Sequence, residues 1–255
     1  MLQTLNSYLS LLHHLYYWVL CLKVLITGAS SGIGRSLVFE FCREEGNVVL
    51  GVGRNEESLK KIKSEFTGCF EYVKADLSDV KNVDYVVQAA KNLLGNVDVL
   101  INNAGFGIYK EVVNHSVEEV LNLTMVNFVT PIALIIKALP LMRSGSTVVN
   151  VITAGVHVLM SKLPIYGASK AALHYATEAL RNELSKQGIN VISVYPGYIS
   201  TEFHTRAGVK EPQKGASPDE VAKAIIKALK KRKKRVYVPA YVNLARVFGP
   251  HLVKI

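Results

Sequence analysis

Cysteine is scarce in this chain: Cys21, Cys42 and Cys69 are the only three in 255 residues, with no CxxC spacing. That pattern suggests neither a disulfide framework nor a zinc site, no metal ligand set is predicted, and a reducing cytoplasm is the expected compartment. Cys42, inside an apolar helical pattern, reads as a core thiol. Charge of either sign is missing from residues 1–22, so they lack the basic start of a secretory signal, and no small-residue cleavage site follows. Their apolar part, Tyr8 to Leu22, contains His13 and His14 and falls short of the roughly 20 residues a spanning helix needs. Three readings stay open for it: an interfacial helix on a membrane, a helix packed on a partner, or an appendage outside the fold, including one created by a start codon placed too early. Internal repeats and flexible linkers are also missing, which leaves one large domain as the expectation.

Acid is in deficit, with 20 Asp and Glu against 30 Lys and Arg, for a net charge of +10. The excess is uneven, because Lys230-Lys-Arg-Lys-Lys-Arg235 supplies six cations in a row. Such a run is either a solvated helix end, where cations suit the macrodipole, or a docking patch for an anionic surface. A short isolated run does not predict nucleic-acid binding. Peripheral membrane contact through residues 1–22 or 230–235 is kept as an expectation.

From Lys23 onward, short β-branched runs alternate with amphipathic helical stretches. KVLIT, NVVLGV, FEYVKA, VDVLIN, STVVNVI, INVISVY and RVYVP read as strands. Helices are predicted over Gly34–Arg43, Glu56–Phe66, Val80–Leu94, Val117–Met142, Pro164–Lys186 and Pro218–Leu229. Strands joined by helices require parallel pairing and right-handed crossovers. The fold class is therefore α/β: a Rossmann-like doubly wound parallel sheet of seven strands with helices on both faces, over 23–239. Residues 240–255 remain as a tail.

The first strand runs into Thr27-Gly-Ala-Ser-Ser-Gly-Ile-Gly34, a glycine turn that opens a helix. Glycine lets a ligand approach the main chain, and a helix N-terminus offers free N–H groups to a pyrophosphate. A tight strand-to-helix turn with no ligand has the same glycines, so the pattern alone is weak. Further on, Tyr166 and Lys170 lie four apart in a segment of good helix formers, hence on one helix face. An ammonium beside a phenol favours the phenolate, which a Tyr of ordinary pKa near 10 requires to act at neutral pH. Taken alone, such a pair is also an ordinary half-buried ring beside a solvated charge.

TGxxxGIG, then Asn102-Asn-Ala-Gly105 after the fourth strand, then Tyr166-Gly-Ala-Ser-Lys170, in this order, resembles the short-chain dehydrogenase/reductase family. The resemblance implies hydride transfer between a nicotinamide cofactor and a small hydrophobic carbonyl or alcohol. It makes Tyr166 the proton donor and acceptor at the substrate oxygen, Lys170 the residue that holds the nicotinamide ribose and keeps the Tyr acidic, and Asn127 the residue that holds a helix distortion. The family's serine is replaced here by Thr153, which keeps the hydroxyl but adds a methyl that restricts χ1. For the cofactor, the resemblance implicates Gly28, Ser30, Ser31, Gly32, Ile33 and Gly34 in the turn, Asp76 and Leu77 after the third strand, Asn103, Ala104 and Gly105 after the fourth, and Pro196, Gly197, Ile199 and Thr201 after the sixth, besides Tyr166 and Lys170. Gly53 stands where an NAD-selecting acid would be and Arg54 follows it, so NADP(H) is expected over NAD(H). Arg54 as a cap of the following helix region and Asp76 as a cap of the helix that begins near Val80 are the alternatives.

Phe106, Tyr109, His157, Leu159, Tyr198 and Phe203 are candidate pocket residues, with Glu202 to Ala216 as a lid. A homodimer or homotetramer through the helices at 117–142 and 164–186 is expected, with Ala171, Ala172, Ala176 and Ala179 allowing close approach. A second functional reading is a membrane-associated or interaction protein that binds NADP(H) with little turnover; a third is a 3-oxoacyl or lipid-type reductase.

Overall fold

Seven parallel strands form the centre of the protein in the order β3-β2-β1-β4-β5-β6-β7. The computed structural model describes residues 21–209 and 214–248, so the expectations placed on residues 1–20, 210–213 and 249–255 lie outside it. The strands are β1 (Lys23–Thr27), β2 (Val48–Gly53), β3 (Phe70–Lys74), β4 (Val99–Asn102), β5 (Thr147–Val151), β6 (Asn190–Pro196) and β7 (Arg235–Val238). The helices are α1 (Gly32–Cys42), α2 (Glu56–Glu65), α3 (Asn82–Leu94), α4 (Val117–Thr124), α5 (Thr130–Ala138), α6 (Pro164–Ser185), α7 (Glu202–Arg206), α8 (Pro218–Lys230) and α9 (Leu244–Phe248).

Strands such as VLIN and TVVNV are buried end to end, because a parallel sheet covered by helices hides both faces. One apolar cluster lies under α1 and α8 and the other under α3, α5 and α6. Helix starts follow local chemistry: Ser116 and Ser217 each form a reciprocal capping box, with Glu119 and Glu220, satisfying backbone donors that a helix start leaves open.

The predicted single helix over 117–142 is interrupted. Met125–Val129 winds as a π-helical turn between α4 and α5. By length and composition alone Val117–Leu141 could cross a membrane, yet Leu123, Leu134, Ile135 and Ala138 are fully buried on the sheet, and Thr130 Oγ1 donates to the Leu77 carbonyl at 2.8 Å. It is a core helix.

The cysteine expectation is overturned. Cys42 and Cys69 form a disulfide across a separation of 27 residues. The end of α1 and the residue just before β3 meet at the amino-terminal end of the sheet, where no sequence spacing advertises the pairing. The argument from cysteine usage to a reducing compartment therefore no longer holds.

Candidate active site

All strands point the same way, so their carboxyl ends lie together and the loops leaving them share one edge. A cleft of about 1040 Å³ opens there, where ligands of open α/β sheets sit. Its glycine turn is held from below. Thr27, buried at the end of β1, accepts hydrogen bonds at Oγ1 from the backbone N–H groups of Asn103 and Ala104, both at 3.0 Å. Asn103 Nδ2 donates back to the carbonyls of Thr27 and Gly28, at 3.0 and 3.3 Å. The Asn-Asn-Ala-Gly motif thus clamps the glycine turn.

Glycine is demanded at two points. A Cβ on Gly34 would stand 2.1 Å from the Gly28 carbonyl oxygen, and Gly28 itself has a φ of +69° with Ala104 against it. The helix begins at Gly32, two residues earlier than predicted, so the glycine loop itself presents the open N-terminus. These features fit a dinucleotide: a backbone cradle that no side chain fills, at a helix start, with Arg54, Asp76 and Leu77 farther along the same cleft.

At the opposite end of the cleft, Thr153, Tyr166 and Lys170 converge on the floor. Tyr166 and Lys170 share the buried face of α6, and Thr153 follows β5. The Thr153 hydroxyl hydrogen-bonds the Tyr166 phenol, which lowers the phenol's pKa; burial outweighs this and pushes it up to about 12. Burial brings Lys170 down to about 8, and its Nζ donates to the Val151 carbonyl at 2.9 Å. The expectation that Lys170 acidifies Tyr166 thus meets an environment in which desolvation is the larger effect.

Asn127, fully buried, sits in the π-helical turn. Its Oδ1 accepts from the Phe106 N–H at 3.1 Å, while Nδ2 donates to the Phe106 carbonyl at 2.9 Å and to Ser169 Oγ at 3.1 Å. It holds the loop after β4 against α6. An added Cβ on Gly105 would lie 2.9 Å from Asn127 Oδ1 and 3.2 Å from Lys170 Nζ, so this glycine keeps the space between them open.

Every expected cofactor and catalytic residue lines the cleft except Gly34 and Asn127, which stand behind its wall. Gly53 ends β2, and Arg54 beyond it lies 3.8 Å from Asp76 with both side chains largely exposed. Neither residue is a helix N-cap: Asn55 caps α2, and Asp76 Oδ1 accepts from the Ser78 N–H in a turn that precedes α3.

Three of the six pocket candidates, Phe106, Tyr198 and Phe203, line the cleft. The others do not. Tyr109 and Leu159 face solvent, and His157 turns away to Tyr237 Oη at 3.2 Å, where burial and cationic neighbours press its pKa down to about 4. Alternating residues after β5 were too irregular for periodicity to sort.

Sequence reasoning missed Met160 and Leu163, which wall the substrate end, and the returning segment at Tyr241, Val242, Leu244 and Ala245. Val242 packing under Gly197, where an added Cβ would meet it at 3.0 Å, was a signal available only in three dimensions. The lid stretch forms the short helix α7, tied to the glycine turn by Arg206 Nη2 donating to Ser31 Oγ at 2.9 Å. The Tyr198 hydroxyl in the wall is buried without a partner among the described residues. Among those residues no three His, Cys, Asp or Glu side chains gather as a metal set.

A doubly wound parallel sheet with a glycine turn and a Thr–Tyr–Lys floor at its carboxyl edge defines a nucleotide-dependent oxidoreductase of the Rossmann type. The family model described as short chain dehydrogenase matches residues 22–212. An uncharacterized oxidoreductase of Staphylococcus aureus strain MW2 is 29% identical over 225 residues, covering 87% of this chain and 94% of that protein. A short-chain dehydrogenase from Sphingobium yanoikuyae, solved in complex with NADPH, is 28% identical with a TM-score of 0.77, over 86% of this chain and 89% of that one. A short-chain dehydrogenase/reductase from Burkholderia phymatum, solved with NAD, shares the fold at a TM-score of 0.80 and 19% identity, over 91% of this chain and 96% of that one. This chain belongs to the short-chain dehydrogenase family and is an oxidoreductase of it.

Proposed function

We propose that the protein interconverts a small hydrophobic carbonyl compound and its alcohol, using NADP(H). The observation that carries this reading is the convergence of Thr153, Tyr166 and Lys170 on the floor of a single cleft whose other end is an open glycine turn. A bound nicotinamide supplies or accepts the hydride. Tyr166 gives its phenolic proton to the substrate oxygen in reduction and takes it back in oxidation, a role suited to a group held by the Thr153 hydroxyl in a dry pocket. Thr153 fixes the same oxygen. Lys170 holds the ribose hydroxyls, and Asn127 keeps the wall behind it in place.

Preference for NADP(H) is supported by Arg54 at the rim, with no carboxylate at Gly53 to repel a 2′-phosphate. The Sphingobium relative's NADPH complex points the same way. Val158, Met160, Leu163 and Phe203 give the substrate end apolar walls, which suits a hydrophobic ketone, aldehyde or alcohol. Pairing with a second copy through α4–α6 is supported by the exposed Val117, Leu121, Ile136 and Tyr175.

The test is the change in the reduced-nicotinamide absorbance band with a panel of ketones, aldehydes and alcohols, NADP(H) and NAD(H) side by side. Turnover favouring NADP(H) is the expected result. A preference for NAD(H) overturns the assignment of Arg54, and binding without turnover across the panel overturns the enzyme reading.

A further inference from the structure

Three Lys or Arg side chains line the cleft among the described residues: Arg54, Lys170 and Arg206. Lys170 is buried on the floor with its Nζ on the Val151 carbonyl at 2.9 Å, and Arg54 stands beyond β2, 3.8 Å from Asp76. The partners of both lie away from the glycine turn. Arg35, which follows the turn in sequence, is engaged elsewhere: its Nη2 lies 3.8 Å from Glu65, and its guanidinium packs 4.7 Å from the centre of the Phe39 ring. An anion seated on the turn would therefore meet backbone N–H groups alone, unless a cation reaches it from a distant part of the chain.

Arg206 does reach it. The residue ends α7, 175 positions from Ser31, and its Nη2 donates to Ser31 Oγ at 2.9 Å. Ser31 is the N-cap of α1, yet its side chain makes no capping hydrogen bond; its hydroxyl serves the arginine instead. A second contact fixes the approach. Thr201, the N-cap of α7, lies against Gly32, where an added Cβ would stand 3.3 Å from Thr201 Cγ2. The other tie on Arg206 is an ion pair with Glu202 at 3.1 Å, one helical turn away, with both side chains largely exposed. Exposed pairs of this kind contribute little, so Glu202 does not hold the guanidinium against a more highly charged anion. Both contacts are made by Nη2, which leaves the other N–H groups of the fork for a second acceptor.

We propose that Arg206 is a cofactor-binding residue whose guanidinium, held over the turn by Ser31, hydrogen-bonds the pyrophosphate of the nicotinamide dinucleotide. The proposal rests on the reading of the cleft as a dinucleotide site and supplies the cation that the turn lacks. A guanidinium on a phosphate oxygen forms a charge-assisted hydrogen bond, roughly twice as strong as a neutral one. Arg54 and Arg206 then act on different groups. Arg54 meets the 2′-phosphate, which NADP(H) alone carries, and Arg206 meets the pyrophosphate, which both cofactors carry. Glu202 competes for the same guanidinium. Phe203, on the same short helix, packs its ring 5.2 Å from that of Tyr166, so the helix that grips the pyrophosphate also seats the wall of the substrate end.

The experiment measures the Kd of the full chain for NADPH and for NADH by the fluorescence of the reduced nicotinamide, with adenosine 2′-phosphate as a competitor that has no pyrophosphate. Arg206→Ala should raise the Kd for both dinucleotides alike, by roughly tenfold. The same variant should bind adenosine 2′-phosphate as tightly as the parent, which also shows that the fold survives. Glu202→Gln should act in the opposite sense and tighten both dinucleotides by about twofold, because it frees the guanidinium. Parent-like affinity of Arg206→Ala for both dinucleotides overturns the proposal. So does a loss confined to NADPH, which would put Arg206 at the 2′-phosphate, or an equal loss for adenosine 2′-phosphate. Weaker binding by Glu202→Gln overturns it as well. A parent protein that binds neither dinucleotide instead overturns the dinucleotide reading itself, and Arg206 falls with it.

Discussion

The two ends of the sheet hold buried polar groups in opposite ways. At the amino end Asp98 and Asn47 use theirs to stitch the fold. Asp98 accepts from the Lys23 N–H at 3.0 Å, Asn96 Nδ2 at 2.9 Å and Arg143 Nη2 at 3.2 Å. Asn47 accepts from the Leu22 N–H and donates to the Phe41 carbonyl, both at 2.9 Å. At the carboxyl end, Tyr166 and Lys170 are equally buried but have few partners, and their pKa values move to about 12 and about 8. Satisfied polar groups stabilise; under-satisfied ones are left free to act on a ligand, at a cost in stability.

Tyr166→Phe tests that contrast most severely. Turnover should fall by roughly 10³-fold while NADPH binding measured by fluorescence stays within about twofold, since in the proposed reaction the loss of the phenol removes the proton donor. The amino end should respond in the reverse sense. Cys69→Ser opens a loop of 27 residues and should lower unfolding stability by about 3 kcal/mol in denaturant titration, with kcat unchanged. A large loss of kcat in this variant would erase the distinction between the two ends.

Lys170→Met sharpens it through pH. Lys170 falls from its usual 10.5 to about 8 in the folded protein, so between those values the unfolded chain binds more protons and wild-type stability rises with pH. The Met variant lacks this rise. Its stability relative to wild type should be highest below pH 8 and decline toward pH 10.5, by about 3 kcal/mol in melting curves; a flat difference would place the ammonium in water. Arg54→Ala should raise the Kd for NADPH roughly tenfold and leave that for NADH unchanged. Smallest is Thr153→Ser, which removes one methyl and keeps the hydroxyl. A change in kcat/KM within about threefold, larger for bulky ketones than for small ones, is the expected reading.

The residues legible in the sequence are those whose chemistry sits at fixed local spacing. Tyr166 and Lys170 share a helix face because they are four apart, and the glycines of 28–34 mark a turn because no other residue tolerates those positions. The seven strands and their parallel pairing followed from alternation with helices. The disulfide escaped notice because Cys42 and Cys69 close only when α1 and β3 take their places. His157 falls on the far side of an irregular loop, against Tyr237 and away from the cleft.

Sequence by itself therefore determined the class of fold, the glycine turn and the pairing of Tyr166 with Lys170 on one helix face, since periodicity and short motifs are local properties. Tertiary structure decided the rest: that Asn127 lies in a π-helical turn behind the wall, that residues 241–245 return to line the cleft, and that Cys42 meets Cys69. Those arrangements depend on contacts between residues tens to hundreds apart, which only the packing of helices on a parallel sheet brings together.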